Sequence, residues 1–400
     1  MPEAEWILTG RKIDDRDRRY AIGLMSGTSL DGIDVALIET DGEGEVKRGP
    51  SRTYPYDHAS KARLEQALEL GKTLADRMAR PQNLAEIETM LTERHGEVVE
   101  RFLSEISVKP GEIACVGFHG QTILHRPSDA LTVQIGDGVG LARRLGLPVV
   151  WDMRARDMEA GGQGAPLVPA YHRALAANLP PEFDMRPVVF VNIGGISNVT
   201  YIDGEADPIA FDCGPGNALL DQWLQREAGI PFDQNGRIAG EGAVIEDLAA
   251  RYLDSTFFSK SLPKSLDKFD FPVPDGDAGE LSDVARTLCH VTAVGIARAR
   301  EHMPREPRLW IVAGGGRRHP SILADLADAV GEEANVALAE DCGFDGDAME
   351  AEAWAYLAVR AMRGLPLTFP TTTGCREAVS GGVISRPDAG VERSASVRPA

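Results

Sequence analysis

The segment Ile209-Ala-Phe-Asp-Cys-Gly-Pro-Gly-Asn217 runs an apolar strand into a carboxylate and then into a Gly-Pro-Gly turn. Ligands of open α/β sheets bind at such strand ends, and a carboxylate shielded there can take a proton from a nucleophile at hydrogen-bond distance. Asp212 is therefore a candidate general base. A brace for the turn is the equal alternative on chemistry alone, and Asn217 is expected to cap the helix that follows. Nearer the N-terminus, two apolar runs within residues 21–38 enclose a turn of Gly, Ser, Thr and Asp. Gly23, Gly27 and Gly32 would let backbone approach an anion, Ser26, Thr28 and Ser29 add hydroxyls, and Asp31 and Asp34 could hold water or Mg²⁺. An ordinary hairpin is the plain alternative.

Other segments carry polar groups at strand ends. His119, Gln121 and Thr122 in Gly117-Phe-His-Gly-Gln-Thr-Ile123 are expected in a loop after a strand, where they could offer hydrogen bonds to a hydroxyl-rich ligand such as a sugar. Asn192, Gly194, Gly195 and Asn198 form a second Gly-rich turn between apolar runs, and Arg308-Leu-Trp-Ile-Val-Ala runs into Gly314, Gly315 and Gly316. Trp151 to Pro169 crowds Asp152, Arg154, Asp157, Glu159 and Gln163 with three glycines into what reads as a segment crossing between lobes. Arg154 could grip a carboxylate or phosphate in bidentate fashion, or pair internally with Asp152, Asp157 or Glu159. Asp347-Ala-Met-Glu350 opens a helix with acidic residues, which suits the helix dipole. Gly136-Asp-Gly138-Val-Gly140 lacks the last glycine of a dinucleotide loop, because Leu141 stands there, and no Gly-x4-Gly-Lys-Ser/Thr loop occurs.

The elements that must position these groups alternate in type. Short apolar runs at 21–24, 35–38, 114–118, 131–135 and 148–151 are expected strands, and 61–78 and 84–106 expected helices. The theme recurs with strands at 187–193, 196–202, 208–212 and 308–312 and helices at 218–227, 281–302 and 348–362. The chain is thus expected to be α/β, in two related lobes covering 20–150 with about 365–385, and 151–364. Residues 1–19 and 386–400 are expected tails. A chain of 400 residues, 43% hydrophobic, can bury such a core. Its net charge of -19 argues against a nucleic-acid partner, so any phosphate must be held locally by amides and helix N-termini. Five scattered cysteines, without a Cys-x-x-Cys pair, indicate neither a disulfide framework nor a zinc cage. No signal core or long apolar stretch stands in the sequence, so a soluble cytoplasmic protein without membrane attachment is expected.

Gly23-Leu-Met-Ser-Gly-Thr-Ser-Leu-Asp-Gly-Ile-Asp34, His119-Gly-Gln-Thr122, Gly161-Gly-Gln-Gly-Ala-Pro-Leu-Val-Pro169 and Phe211-Asp-Cys-Gly-Pro-Gly-Asn217 together resemble the anhydro-N-acetylmuramic acid kinases, over about residues 20–383 and in that family's order. These belong to the superfamily of sugar kinases, actin and heat-shock chaperone ATPases. One departure is Met153, where the family commonly has Phe. The resemblance implies a two-lobed actin-like, ribonuclease H-like fold with a duplicated mixed sheet core and an interlobe cleft. It implies ATP and Mg²⁺ as cofactors, with Gly27, Thr28, Ser29, Asp31, Gly32, Asn192, Gly194, Gly195, Gly314, Gly315 and Gly316 at the nucleotide and Asp31 at the metal. It further implies Asp212 as catalytic base and His119, Gln121, Thr122, Arg154, Asp157, Gln163 and Glu350 at an amino-sugar substrate. The implied reaction opens the 1,6-anhydro bridge and phosphorylates O6, in peptidoglycan recycling. Another sugar or carboxylate kinase, or a silent actin-like nucleotide switch, stays open, as does a homodimer.

Overall fold

The structure is a computed structural model that describes residues 19–266 and 270–393. In chain order its strands are β1 (Arg19–Ser26), β2 (Gly32–Thr40), β3 (Val46–Pro55), β4 (Ile113–Arg126), β5 (Leu131–Ile135), β6 (Val149–Trp151), β7 (Val188–Ile193), β8 (Ile196–Ile202), β9 (Ile209–Pro215), β10 (Leu309–Ala313), β11 (Asn335–Leu338), β12 (Val383–Arg386) and β13 (Ala389–Arg393). Among the described residues they divide between two compact units, 19–178 with 348–393 and 179–347. Unit 1 holds a sheet in the order β13-β12-β6-β4-β1-β2-β3, with β5 paired to β4. Unit 2 holds β11-β10-β7-β8-β9.

The expected duplication is visible in strand direction. β1, β2 and β3 form an antiparallel meander, and β4 and β6 add in parallel beside β1. β7, β8 and β9 repeat the meander, and β10 and β11 add in parallel beside β7. Parallel neighbours need a crossover, and a helix supplies it each time: Leu84–Glu105 comes before β4, Gly138–Leu145 before β6, Leu281–Arg298 before β10 and Pro320–Val330 before β11. Their apolar faces build the cores. Val99 and Phe102 pack with Ile22, Leu24, Val35 and Val116 in unit 1, whereas Leu288, Val291 and Leu326 pack with Val189, Val191 and Trp310 in unit 2.

The helix Met349–Met362 belongs to unit 1 although the sequence groups it with the second lobe. Gly23 and Gly117 are register partners in the parallel β1–β4 pair. A Cβ at Gly23 would collide with Ala351 O, and one at Gly117 with Trp354 O. The two glycines thus form a bare trough into which the helix backbone settles. Gly23 is kept small for a helix, and the expected anion approach there is corrected.

The segment expected to cross between lobes also lies inside unit 1, since the units divide at 178 and 179. Gln163 N donates to Thr373 O, and Thr368 and Thr373 both bond to Asp157, tying the segment to the later chain. Two other boundaries move. The first helix is His58–Gly71 rather than 61–78, closing where Gly71 lies against the Ile123 backbone. β12 and β13 pair antiparallel, so 389–393 is strand and not tail. The remaining expected tails, 1–18 and 394–400, lie outside the described residues.

Candidate active site

In unit 1 the turn between β1 and β2 is fixed from beneath and open above. Leu30 takes a left-handed φ of 55° to drive its side chain into the cluster of Leu64, Leu74, Leu84 and Ile87. Such a φ strains a residue with a Cβ, and burial of the side chain supplies the compensation. Ser26 Oγ donates to Gln121 Oε1 at 2.6 Å, and Gln121 Nε2 donates to Gly27 O at 3.2 Å. Thr28, Ser29 and Asp31 remain exposed, with Ser29 Oγ donating to Asp31 Oδ1 at 3.0 Å. Gly32 is required by packing, because a Cβ there would stand 2.7 Å from Tyr54 O, whereas one at Gly27 would meet nothing nearer than 3.6 Å.

The strand expected to end at Phe118 continues through His119 to Arg126. Gly120, at φ 69°, permits a bulge at that point, so β4 bends and goes on to pair with β5. His119 is therefore a strand residue rather than a loop residue. Its ring is buried, 4.7 Å from the Trp354 ring, and burial followed by the nearby Arg154 charge lowers its pKa to about 3. The imidazole is neutral, and Nε2 lies 3.4 Å from both Thr122 Oγ1 and Arg154 Nη2. Arg154 donates Nη1 to Gly164 O at 2.8 Å and lies over the Trp354 ring at 5.5 Å. Burial lowers its pKa to about 10, opposed by Glu350 and Asp157. Glu350 stands exposed in the first turn of Met349–Met362.

His119, Thr122, Arg154 and Glu350 thus gather in one neighbourhood. Gln121 and Asp157 are spent elsewhere. Gln121 braces the β1–β2 turn, and Asp157 accepts from Thr368 Oγ1 at 2.5 Å, Thr373 Oγ1 at 2.6 Å and Gly164 N at 2.7 Å. Gln163 is half-buried on the same segment. A cavity of about 460 Å³ opens against His119, Gln134, Trp151, Asp152, Arg77 and Arg80, and Arg154, Gln163 and Glu350 do not line it. Buried His119 Nδ1, Gln134 Oε1 and Arg77 Nε at its wall have no hydrogen-bond partner among the described residues. Unpaired polar atoms on a cavity wall are groups that a polar ligand would satisfy.

In unit 2, Asp212 lies on β9, the edge strand of its sheet, opposite Asn198. The segment before residue 267 covers that edge. Asp212 N donates to Lys264 O at 3.2 Å, and Leu266 N donates to Asp212 Oδ2 at 2.8 Å. Burial raises the carboxyl to about 6, and the Leu266 amide pulls it down. Beyond β9, Gly216 rather than Asn217 is the N-cap of Asn217–Ala228. Asn217 is already helical and donates Nδ2 to Ile193 O at 3.2 Å, so its expected capping role is corrected.

The Gly194–Gly195 turn accepts from the start of that helix, with Asn217 N at 2.7 Å from Gly194 O and Ala218 N at 3.2 Å from Gly195 O. A Cβ at Gly194 or Gly195 would meet nothing closer than 3.5 Å or 3.4 Å, so the unit's own packing does not demand glycine there. Gly314 differs. Its φ is 77° and a Cβ would collide with Asn192 Oδ1, while one at Gly316 would collide with Ile193. Arg317 fixes this turn by donating to Gly314 O at 2.9 Å and to Glu340 and Asp347. Gly315, by contrast, has room for a Cβ at 3.7 Å from Asn217 Nδ2.

Comparison with known proteins decides the family. The model of the anhydro-N-acetylmuramic acid kinase family matches residues 19–387. The chain belongs to that family. The anhydro-N-acetylmuramic acid kinase of Agrobacterium fabrum is 53% identical over 369 residues, 92% of this chain and 99% of its own length. That of Rhizobium etli is 54% identical over the same shares. A solved ROK family glucokinase from Streptomyces griseus, in complex with glucose and AMPPNP, covers 84% of this chain and 98% of its own at 15% identity and a TM-score of 0.38.

Within this member of the anhydro-N-acetylmuramic acid kinase family, sequence reading missed the groups that hold the candidates in place. Trp354 lies under both His119 and Arg154, and the helical spacing of residues 348–362 marks it only as a core position. Leu266 and Lys264 are more than 50 positions from Asp212, in a stretch without periodicity, so no local signal joins them. Among the described residues no group of three His, Cys, Asp or Glu could hold a metal by itself, and no helix is long and apolar enough to cross a membrane.

Proposed function

We propose that the chain opens 1,6-anhydro-N-acetylmuramic acid with water and phosphorylates O6 at the expense of ATP, giving N-acetylmuramate 6-phosphate and ADP. The observation that carries this reading is Asp212: in a member of this family, a half-buried carboxylate on the edge strand β9, which runs on past the expected end at 212 to Pro215, held at Oδ2 by one amide. An anhydrosugar has no free 6-hydroxyl, so the base acts on water. Water oxygen attacks the anomeric carbon and passes a proton to Asp212 as the bond from that carbon to the bridge oxygen breaks. The freed O6 attacks the γ-phosphorus, and the bond to the β-phosphate oxygen breaks to release ADP. Asp212 then gives its proton to solvent. A pKa near 6 leaves the carboxylate ionised at neutral pH and still basic enough to accept a proton.

Unit 1 supplies the sugar-facing groups in this reading. The neutral His119, Thr122, Arg154, Gln163 and Glu350 bind the amino sugar; of these only His119 also lines the 460 Å³ cavity, whose unpaired Gln134 and His119 atoms would take a polar substituent of the same ligand. Gln121 and Asp157 act through the backbone they brace. Gly27, Thr28, Ser29, Asp31 and Gly32 in unit 1, and Asn192, Gly194, Gly195 and Gly314 to Gly316 in unit 2, take the nucleotide. The glycines that packing does not require, Gly27, Gly194, Gly195 and Gly315, would let a phosphate approach the backbone closely, although the Gly194 amide is already donated to Ile196 O. Asp31 would hold Mg²⁺, which binds through one or two carboxylates and completes its shell with water and phosphate oxygens. The ion would neutralise charge on the transferring phosphate. A cytoplasmic place in peptidoglycan recycling follows from this substrate.

The test is ADP release with the anhydrosugar, free N-acetylmuramic acid and glucose as rival acceptors. Turnover confined to the anhydrosugar is expected. Turnover of glucose alone would overturn the substrate, and nucleotide binding without turnover of any acceptor would favour a silent switch. Asp212→Asn should lower kcat by about 10²- to 10⁴-fold with ATP binding retained.

A further inference from the structure

Lys264 is 6% exposed, and no carboxylate pairs with it among the described residues. Its Nζ donates to Phe258 O at 3.1 Å and lies 2.9 Å from His302 Nε2, which itself lies 3.0 Å from Phe258 O, and it stands 4.8 Å and 5.4 Å from the Phe257 and Phe211 ring centres. A buried ammonium is costly, so a site that keeps one satisfies it closely, here with a carbonyl, an imidazole and two aromatic faces. The side chain thus nails its own backbone to the Phe257–Phe258 turn and to the end of the Ala299–His302 helical turn. That backbone is the one that touches Asp212: Lys264 O accepts from Asp212 N, and two residues on Leu266 N donates to Asp212 Oδ2. Phe211, the neighbour of Asp212, closes the ring by lying under the same ammonium.

We infer that Lys264 is a positioning residue for Asp212, whose buried ammonium anchors the 264–266 backbone so that the Leu266 amide meets the carboxylate. The inference rests on the reading of Asp212 as the base. Its chemical content is specific, because an amide donated to a carboxylate favours the ionised form. The Leu266 bond is the factor that lowers the Asp212 pKa against burial. The charged and titratable groups that face Lys264 are Lys260, Glu301, His302 and Cys213, and burial outweighs them in lowering its own pKa.

The experiment measures kcat and KM against pH for the full chain with Lys264→Met, Lys264→Arg and Leu266→Pro, each checked for folding by its thermal transition. Lys264→Met keeps the aliphatic stem and removes the anchor, so the acidic limb of kcat should move up by about one pH unit. The plateau should fall about tenfold, with KM for ATP and sugar unchanged. Lys264→Arg should return part of the plateau. Leu266→Pro deletes the amide with Lys264 intact and should shift the limb in the same direction, which keeps the test decisive should Lys264→Met not fold. A parental acidic limb in a folded Lys264→Met, or in a folded Leu266→Pro, overturns the inference. Asp212→Asn run alongside separates the two readings: retained turnover there would overturn the base assignment itself, whereas its loss together with a parental limb in Lys264→Met would overturn only the anchor.

Discussion

Asp212 is asked to ionise in surroundings that oppose it. With its carboxyl at about 6, the fraction able to accept a proton falls tenfold per pH unit below that value, so kcat should decline through an acidic limb centred near pH 6. A pH–rate profile flat down to pH 4.5 would contradict the assignment. The same shift bears on stability. A folded-state pKa above the unfolded one means that the charged form burdens the folded state, and the burden grows as pH rises from about 4 to 6 and is complete above it. Asp212→Asn should therefore be more stable than the parent at pH 8, by about 1–3 kcal/mol, and equal to it near pH 3.5, as thermal denaturation at both pH values would reveal. Gln121 makes a different demand. Changing it to Leu would leave Ser26 Oγ with Tyr56 alone and the Gly27 carbonyl with the Leu30 amide alone, loosening the turn above Leu30. KM for ATP should rise about 5- to 50-fold while KM for the sugar stays within twofold.

At the level of elements, β-strands whose inner faces are continuously apolar, such as β1, β7 and β10, could be read from composition because burial on both faces requires it. What composition could not show was where a strand would refuse to stop. β4 passes through His119-Gly-Gln-Thr122 because Gly120 absorbs a bulge, and polar residues in sequence mimic a loop. Nor could it show which unit claims Met349–Met362, a helix apolar nearly all round. That choice is made by Gly23 and Gly117, two positions in different strands that only the β1–β4 register brings side by side. Asp212 was legible because its strand and turn are local, while the Lys264–Leu266 clasp joins positions far apart in the chain. Gly117→Val is a direct trial of the trough. Its side chain would be driven into the Trp354 carbonyl, displacing the helix that carries Trp354 and Glu350. A loss of at least about 3 kcal/mol of stability is expected from denaturant unfolding, beyond ordinary overpacking because the obstacle is backbone.

For the whole molecule, the two units are unequal in how the chain builds them. Unit 2 is one uninterrupted stretch, 179–347, with its own five-stranded sheet and a core that includes Trp223, Leu288, Trp310 and Leu326. Unit 1 is made from two stretches, and without the second it loses Met349–Met362, β12 and β13. The bare trough of Gly23 and Gly117 would then face solvent with no side chains to cover the sheet. Folding autonomy should follow this asymmetry. A fragment of residues 179–347 expressed alone should show a cooperative thermal transition with native-like near-ultraviolet dichroism. A fragment of residues 19–178 should not, and adding residues 348–393 in trans or through a short linker should restore it. Cooperative unfolding of 19–178 by itself would mean that β1 to β6 can complete their core without the helix, and the trough would then be a convenience of packing rather than a condition of the fold.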